Sequence, residues 1–188
     1  MRCGWMLATL GSVVVACGEA PPAPDPKLRI DERAGTFRGV GLGDPASEAR
    51  NVFGPPTPYS QREGVAPVGD SYAEIGGPTS LSPGRGCRTE GDANTLRYRG
   101  VTFAGCRGRL QDLLISATGA HTRTGVTVGA STLQDAKEAY PELRCEMANE
   151  GTEYVSYPYC AGKVAPDRWA WFGRDPISSI TLADRPIG

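Results

Sequence analysis

The chain has one histidine, His121, in Gly-Ala-His-Thr-Arg, and any Ser–His–Asp or Cys–His machinery would have to be built around it. No Gly-x-Ser-x-Gly nucleophile motif accompanies it. It falls in the connection between two similar segments and reads as a surface or linker residue. Paired carboxylates need no histidine and need not be close in sequence, but the acids here are scattered without a cluster. Six cysteines could suggest zinc; zinc usually takes closely spaced pairs such as Cys-x-x-Cys, and none occurs. Gly39-Val-Gly-Leu-Gly43 could suggest a phosphate loop. It lacks the Gly-x-Gly-x-x-Gly spacing and a Lys-Ser/Thr end, and it lies inside a strand pattern rather than after one. It reads as a tight strand-to-helix connection. These residues point away from an enzyme, and no metal or cofactor is expected.

Two groups have the chemistry of binding. Arg97, Arg99, Arg107 and Arg109, with Arg85 and Arg88 upstream, bracket one predicted hairpin. With Gly100 as a bulge, Arg97 and Arg99 share the face opposite Leu96 and Tyr98. A solvated sheet face is the plain account; a basic patch for an acidic partner or anionic headgroups is the functional one. Tyr157 and Tyr159 share a strand face by their spacing, as do Trp169 and Trp171, with Tyr154 nearby. Core packing against Tyr140 is the plain account of these rings. Any exposed part would be a hot spot, because Tyr and Trp dominate interface energetics. The Pro- and Gly-rich stretch 54–86 is a third place for a partner, long enough to be either functional or disordered.

The elements that must carry these residues form a unit that occurs twice. Arg38-Gly-Val-Gly-Leu-Gly-Asp-Pro-Ala-Ser-Glu-Ala-Arg-Asn-Val-Phe-Gly54 and Thr124-Gly-Val-Thr-Val-Gly-Ala-Ser-Thr-Leu-Gln-Asp-Ala-Lys-Glu-Ala-Tyr-Pro141 share a pattern. Each runs Gly-Val-x-apolar-Gly, a polar helix start, then a short amphipathic helix ending in an aromatic. The offset is about 86 residues, with one residue inserted in the second copy. In the first helix Asp44 is the expected N-cap and Pro45 the first helical residue. Ala46, Ala49, Val52 and Phe53 fall on one face, and Gly54-Pro55-Pro56 ends the helix. In the second, Ser131 to Gln134 has capping-box spacing, Leu133, Ala136 and Tyr140 make the buried stripe, and Pro141 stops it. Strands follow each helix. Leu96 to Phe103 places Leu96, Tyr98, Val101 and Phe103 on one face, and a turn around 104–108 leads to Leu110–Ser116. Arg168–Phe172 turns into Ile177–Leu182. Aligning Phe103 with Phe172, with the following turn two residues shorter in the second copy, sets Leu110 on Ile177 and Leu113 on Ile180.

Composition allows one compact domain or two small ones. Net charge is -1, hydrophobic content 39% and charged content 22%, which fits a folded body and gives no sign of nucleic-acid binding. Gly (25) and Pro (16) predict short strands and long loops. The N-terminus is the most specific segment. Met1-Arg2 is a minimal positive region, and Trp5 to Ala16 is uncharged. Those residues would rise only about 18 Å as a helix, short of a roughly 30 Å hydrocarbon core. A signal peptide, residues 1–16, fits better than a membrane span. It ends Val14-Val15-Ala16-Cys17-Gly18, which resembles the lipobox of bacterial lipoproteins. That resemblance implies a diacylglyceryl group on Cys17, acylation by chains such as palmitate, and cleavage before Cys17. Signal peptidase I would also accept Val-x-Ala and would leave Cys17 as a free thiol. Residues 17–36 then read as a tether: Gly18 to Lys27 holds four prolines, favouring extended polyproline II at about 3.1 Å per residue.

With Cys3 in the signal and Cys17 at the anchor, Cys87, Cys106, Cys145 and Cys160 remain. Export suggests two disulfides, for which three connectivities are open. Closure within each unit favours Cys87–Cys106 and Cys145–Cys160.

The glycine-bracketed strand, the short helix ending near Gly-Pro and the later hairpin resemble the SmpA/OmlA (BamE-like) lipoprotein module. Its tandem form is similar to the β-lactamase-inhibitor-protein-like fold. The resemblance implies an α+β chain of two tandem repeats, residues 37–118 and 119–188, each a short helix packed on a small antiparallel sheet. It also implies a non-catalytic, protein-binding or structural role in the cell envelope. The protein would face the periplasm or cell exterior, held to the membrane by lipid on Cys17, with an envelope protein as partner. The other reading is a small-ligand-binding or inhibitor-like lipoprotein that uses a concave sheet face.

Overall fold

The structure is a computed structural model, described here over residues 25–56, 93–150 and 155–186. The expected signal peptide, Cys17, Cys87, Arg85, Arg88, Tyr154 and most of the stretch 54–86 lie outside the described residues. The fold is α+β and mostly sheet. Three two-residue strands, β1 (Ile30–Asp31), β2 (Thr36–Phe37) and β3 (Val40–Gly41), form a small antiparallel sheet before helix α1 (Ala46–Phe53). Then come β4 (Ala93–Tyr98), β5 (Val101–Cys106), β6 (Arg109–Ile115), helix α2 (Leu133–Ala139), β7 (Arg144–Glu150), β8 (Val155–Ala165), β9 (Arg168–Gly173) and β10 (Ser179–Ala183).

The last seven strands form one antiparallel sheet in the order β4-β5-β6-β10-β9-β8-β7, not two small ones. Its seam is the pairing of β6 with β10. There Leu113 faces Leu182 and Ile115 faces Ile180, on either side of the pair Leu114–Thr181. Both strands are apolar enough to be buried on both faces, which suits the middle of a sheet.

Both helices cover the same face. Leu96, Val101, Phe103, Leu113, Ile115, Cys160, Ala170, Phe172, Ile180 and Leu182 join Ala49, Ala136 and Leu133 in one continuous core. α1 packs on β4, and α2 on β8 and β9. Each helix ends in an aromatic seated on a sheet phenylalanine: Phe53 lies 5.4 Å from Phe103, and Tyr140 stacks on Phe172 at 5.6 Å. The segments leading into the helices are fixed by reciprocal backbone bonds. Gly43 N donates to Leu110 O (2.7 Å) and Leu110 N to Asp44 O (2.9 Å). Gly129 N donates to Ile177 O (2.7 Å) and Ile177 N to Ser131 O (2.8 Å).

Several local expectations are corrected. The N-cap of α1 is Pro45 and no side chain caps it, because the Asp44 carboxylate is already taken by the Gly41 N–H at 2.9 Å. Val52 is exposed; an eight-residue helix buries only the narrow stripe of Ala46 and Ala49. In α2 the capping box is Thr132 with Asp135, one residue later than expected. Ser131 turns away to accept from Thr127 N. Gly100 is no bulge: with Arg99 it makes a two-residue hairpin turn, at φ 79. Leu96 then faces Phe103 and Tyr98 faces Val101 across the ladder, so those four do share a face. The next turn is Arg107–Gly108, both at positive φ (52 and 76), the type I′ geometry that matches sheet twist. Residues 25–36 belong to the body rather than to the tether, since Ile30 is fully buried and its N–H donates to His121 O.

Cys145 and Cys160 are disulfide-bonded, directly opposite one another on β7 and β8. Cys106 is disulfide-bonded as well. Among the described residues, no helix is long and apolar enough to cross a membrane.

Candidate functional site

Side chains alternate along a strand, so the sheet has a second face opposite the helices. Strand register assigns to it Arg97, Thr102, Ala104, Asp112, Leu114, Thr181, Ala183, Trp169, Trp171, Tyr159 and Lys163. The centre of this face is well buried: Leu114, Thr181 and Ala183 are 0% exposed and Trp171 2%. Among the described residues, Thr181 Oγ1 has no hydrogen-bond partner there.

The aromatic group gathers on β8 and β9. Tyr159 stacks on Trp171 at 5.5 Å between ring centres, and Tyr157 meets the same indole edge-on at 6.1 Å. Cations border it, with Lys163 over Trp169 at 5.6 Å and Arg174 over Tyr157 at 5.5 Å. Tyr157 and Trp171 are buried, while Tyr159 and Trp169 are half-buried. The rings do not pack against Tyr140, which belongs to the helix side. The Tyr159 hydroxyl donates to Glu146 at 3.2 Å, and burial together with that carboxylate raises its pKa.

The arginines do not form one patch. Arg97 sits on β4, Arg99 in the β4–β5 turn, and Arg107 in the β5–β6 turn at the other end of the hairpin. Six residues of strand separate the two turns, roughly 20 Å. The bulge expected at Gly100 is the reason: as a turn, it ends one strand and puts Arg99 at its tip. Arg109 is used structurally, its Nη1 donating to Gly43 O at 2.8 Å.

Asp112 is a site residue that the sequence reading passed over. It lies in the middle of the sheet, 3% exposed, between Ala104 on β5 and Ala183 on β10. Arg185 Nη2 donates to both its oxygens, at 2.9 and 3.2 Å. Burial pushes Asp112 up to about 6, against the opposing pull of Arg185's charge and hydrogen bonds. Its signal was an acid inside the apolar run Leu110-Gln-Asp-Leu-Leu-Ile115.

A second polar group joins the end of α2 to residues 122–124 and Glu32. Thr124 Oγ1 donates to the Tyr140 hydroxyl at 2.8 Å and also meets Thr122 Oγ1 at 2.9 Å. Arg123 N donates to the buried Glu32 carboxylate at 3.1 Å. Burial, with Glu32 adding to it, pushes Tyr140 up to about 12. His121 is half-buried beside this group and its Nδ1 faces Gly119 O at 3.2 Å. Its backbone bridges Arg29 and Thr127. Two open crevices, of about 500 and about 480 Å3, have no histidine, serine or cysteine among the described residues that line them. No cluster of three His, Cys, Asp or Glu able to hold a metal occurs among the described residues. No protein-family model, curated protein or solved structure matches the chain.

Proposed function

We propose that this chain is an exported lipoprotein, cleaved and lipidated at Cys17, whose body is a non-catalytic module that binds another envelope protein. The observation that carries the binding reading is the aromatic–cationic group on the face opposite the helices. Tyr159 and Trp169 are its accessible members, next to the buried Trp171 and Tyr157. Large rings anchored by neighbours lose little entropy on docking, which is why they dominate interfaces.

The body is read as two tandem SmpA/OmlA (BamE-like) units. Three correspondences support this. The reciprocal bonds around Leu110 and Ile177 use the residues that the sequence alignment equates, including the one-residue insertion before Ser131. Phe53 on Phe103 matches Tyr140 on Phe172. At the seam, Leu113 pairs with Leu182 and Ile115 with Ile180, the exchange a two-fold axis through Leu114–Thr181 requires once Leu113 is equated with Ile180. The units share a sheet because each ends in a strand too apolar to leave at an edge.

The test is site-specific photocrosslinking in the native envelope. A crosslinker at position 169 or 159 is expected to give a discrete protein adduct, while one at Gln134, exposed on α2, gives none. Equal labelling from both faces, or none from position 169, would contradict the reading.

A further inference from the structure

The segment after β10 is attached to the body in an unusual way. Among the described residues, the hydrogen bonds and ion pairs of 184–186 to the rest of the chain are those of Arg185 with Asp112. Arg185 otherwise bonds its neighbour Asp184 at 3.2 Å. One buried carboxylate therefore holds the segment through the Arg185 side chain.

We propose that residues 184–186 form a strap that is closed while Asp112 is ionised and opens when Asp112 takes up a proton. The carboxylate accepts both contacts from one guanidinium nitrogen, and a neutral acid keeps neither the charge attraction nor both acceptor positions. Among the described residues, few other groups are placed to intervene. β5 and β10, which flank Asp112, carry no ionisable side chain apart from the disulfide-bonded Cys106. On β6 the nearest charge is Arg109, which bonds Gly43 O. Asp184 adds a repulsion and Arg185 an attraction. Arg97 lies two strands away on the same face and Lys163 three strands away over Trp169, on the order of 10–14 Å. Burial sets the titration at about 6, so opening falls in mild acid rather than in denaturing acid. Opening frees Asp112 on the face that also carries Trp171 and Tyr159. The inference rests on this ion pair and not on the lipid anchor.

The experiment is NMR on the whole mature chain. The carboxyl carbon of Asp112 is followed with pH, together with the heteronuclear NOE of the Asp184 and Arg185 amides. In the wild type the NOE is expected to fall from sheet-like values at pH 7.5 towards those of a free chain at pH 5, with its midpoint tracking the Asp112 carboxyl. Arg185→Gln, a change at the rim of the fold, should give the low NOE at both pH values while leaving the sheet resonances in place. Asp112→Asn should do the same if it folds. An NOE at Asp184 and Arg185 that stays high at pH 5, or that stays high in Arg185→Gln at pH 7.5, overturns the proposal.

Discussion

At the residue scale, Asp112 shows how one side chain can cost stability and still organise its surroundings. Its folded pKa lies above the ordinary carboxylate value because burial outweighs the Arg185 partner. The folded state therefore binds the proton more tightly than the unfolded one. Asp112 contributes stability that is fully present below about pH 4 and is lost as pH rises through about 6. Asp112→Asn should then be more stable than wild type at pH 7.5, by up to about 3 kcal/mol, and the difference should vanish near pH 4. Urea unfolding at the two pH values measures it; an asparagine variant less stable at pH 7.5 would refute the account. Gly105 tests the opposite kind of site. A Cβ there would run into the Arg109 carbonyl oxygen of the paired strand, where backbone cannot yield cheaply. Gly105→Ala is expected to cost about 2 kcal/mol or more in the same assay.

At the element scale, what was legible in the sequence followed physical specificity. Both helices were read from their apolar spacing and their Gly and Pro stops, and the aromatic at each helix end does pack on a sheet phenylalanine. The caps were misread because Asp44 and Ser131 each had a competing backbone donor nearby, Gly41 N and Thr127 N. Sequence spacing does not reveal such competition. In sequence Gly100 reads as a bulge because the same residues share a face whether the strand continues or folds back on itself. Only the turn separates Arg99 from Arg97. The capping box of Thr132 and Asp135 is expected to matter energetically: its hydrogen bonds hold Asp135 below the usual carboxylate range. Thr132→Ala should destabilise the fold by about 1 kcal/mol. Removing both Cys145 and Cys160, which span 15 residues, should cost roughly 3 kcal/mol by the chain-entropy model. Thermal or urea unfolding checks both, and a null effect of the double cysteine variant would mean that β7 is held by its ladder alone.

At the scale of the whole molecule, the repeat pattern leads to an expectation of two small sheets, whereas the last seven strands form a single sheet. Nothing local in Leu110–Ile115 or Ser179–Ala183 says that the two strands pair: both are largely buried, and their polar members Asp112, Ser179 and Thr181 are buried with the apolar ones. The sheet face carrying Trp171 was legible as a spacing of aromatics, whereas Asp112 was hidden by its apolar neighbours. The proposed function joins that face to a membrane through the tether beginning at Cys17. Mass spectrometry of the N-terminal peptide, from protein isolated out of its native envelope, tests this most directly. The account predicts a peptide that begins at Cys17 and carries lipid on that cysteine. A peptide that retains residues before Cys17, or that begins at Cys17 with a free thiol, would contradict it.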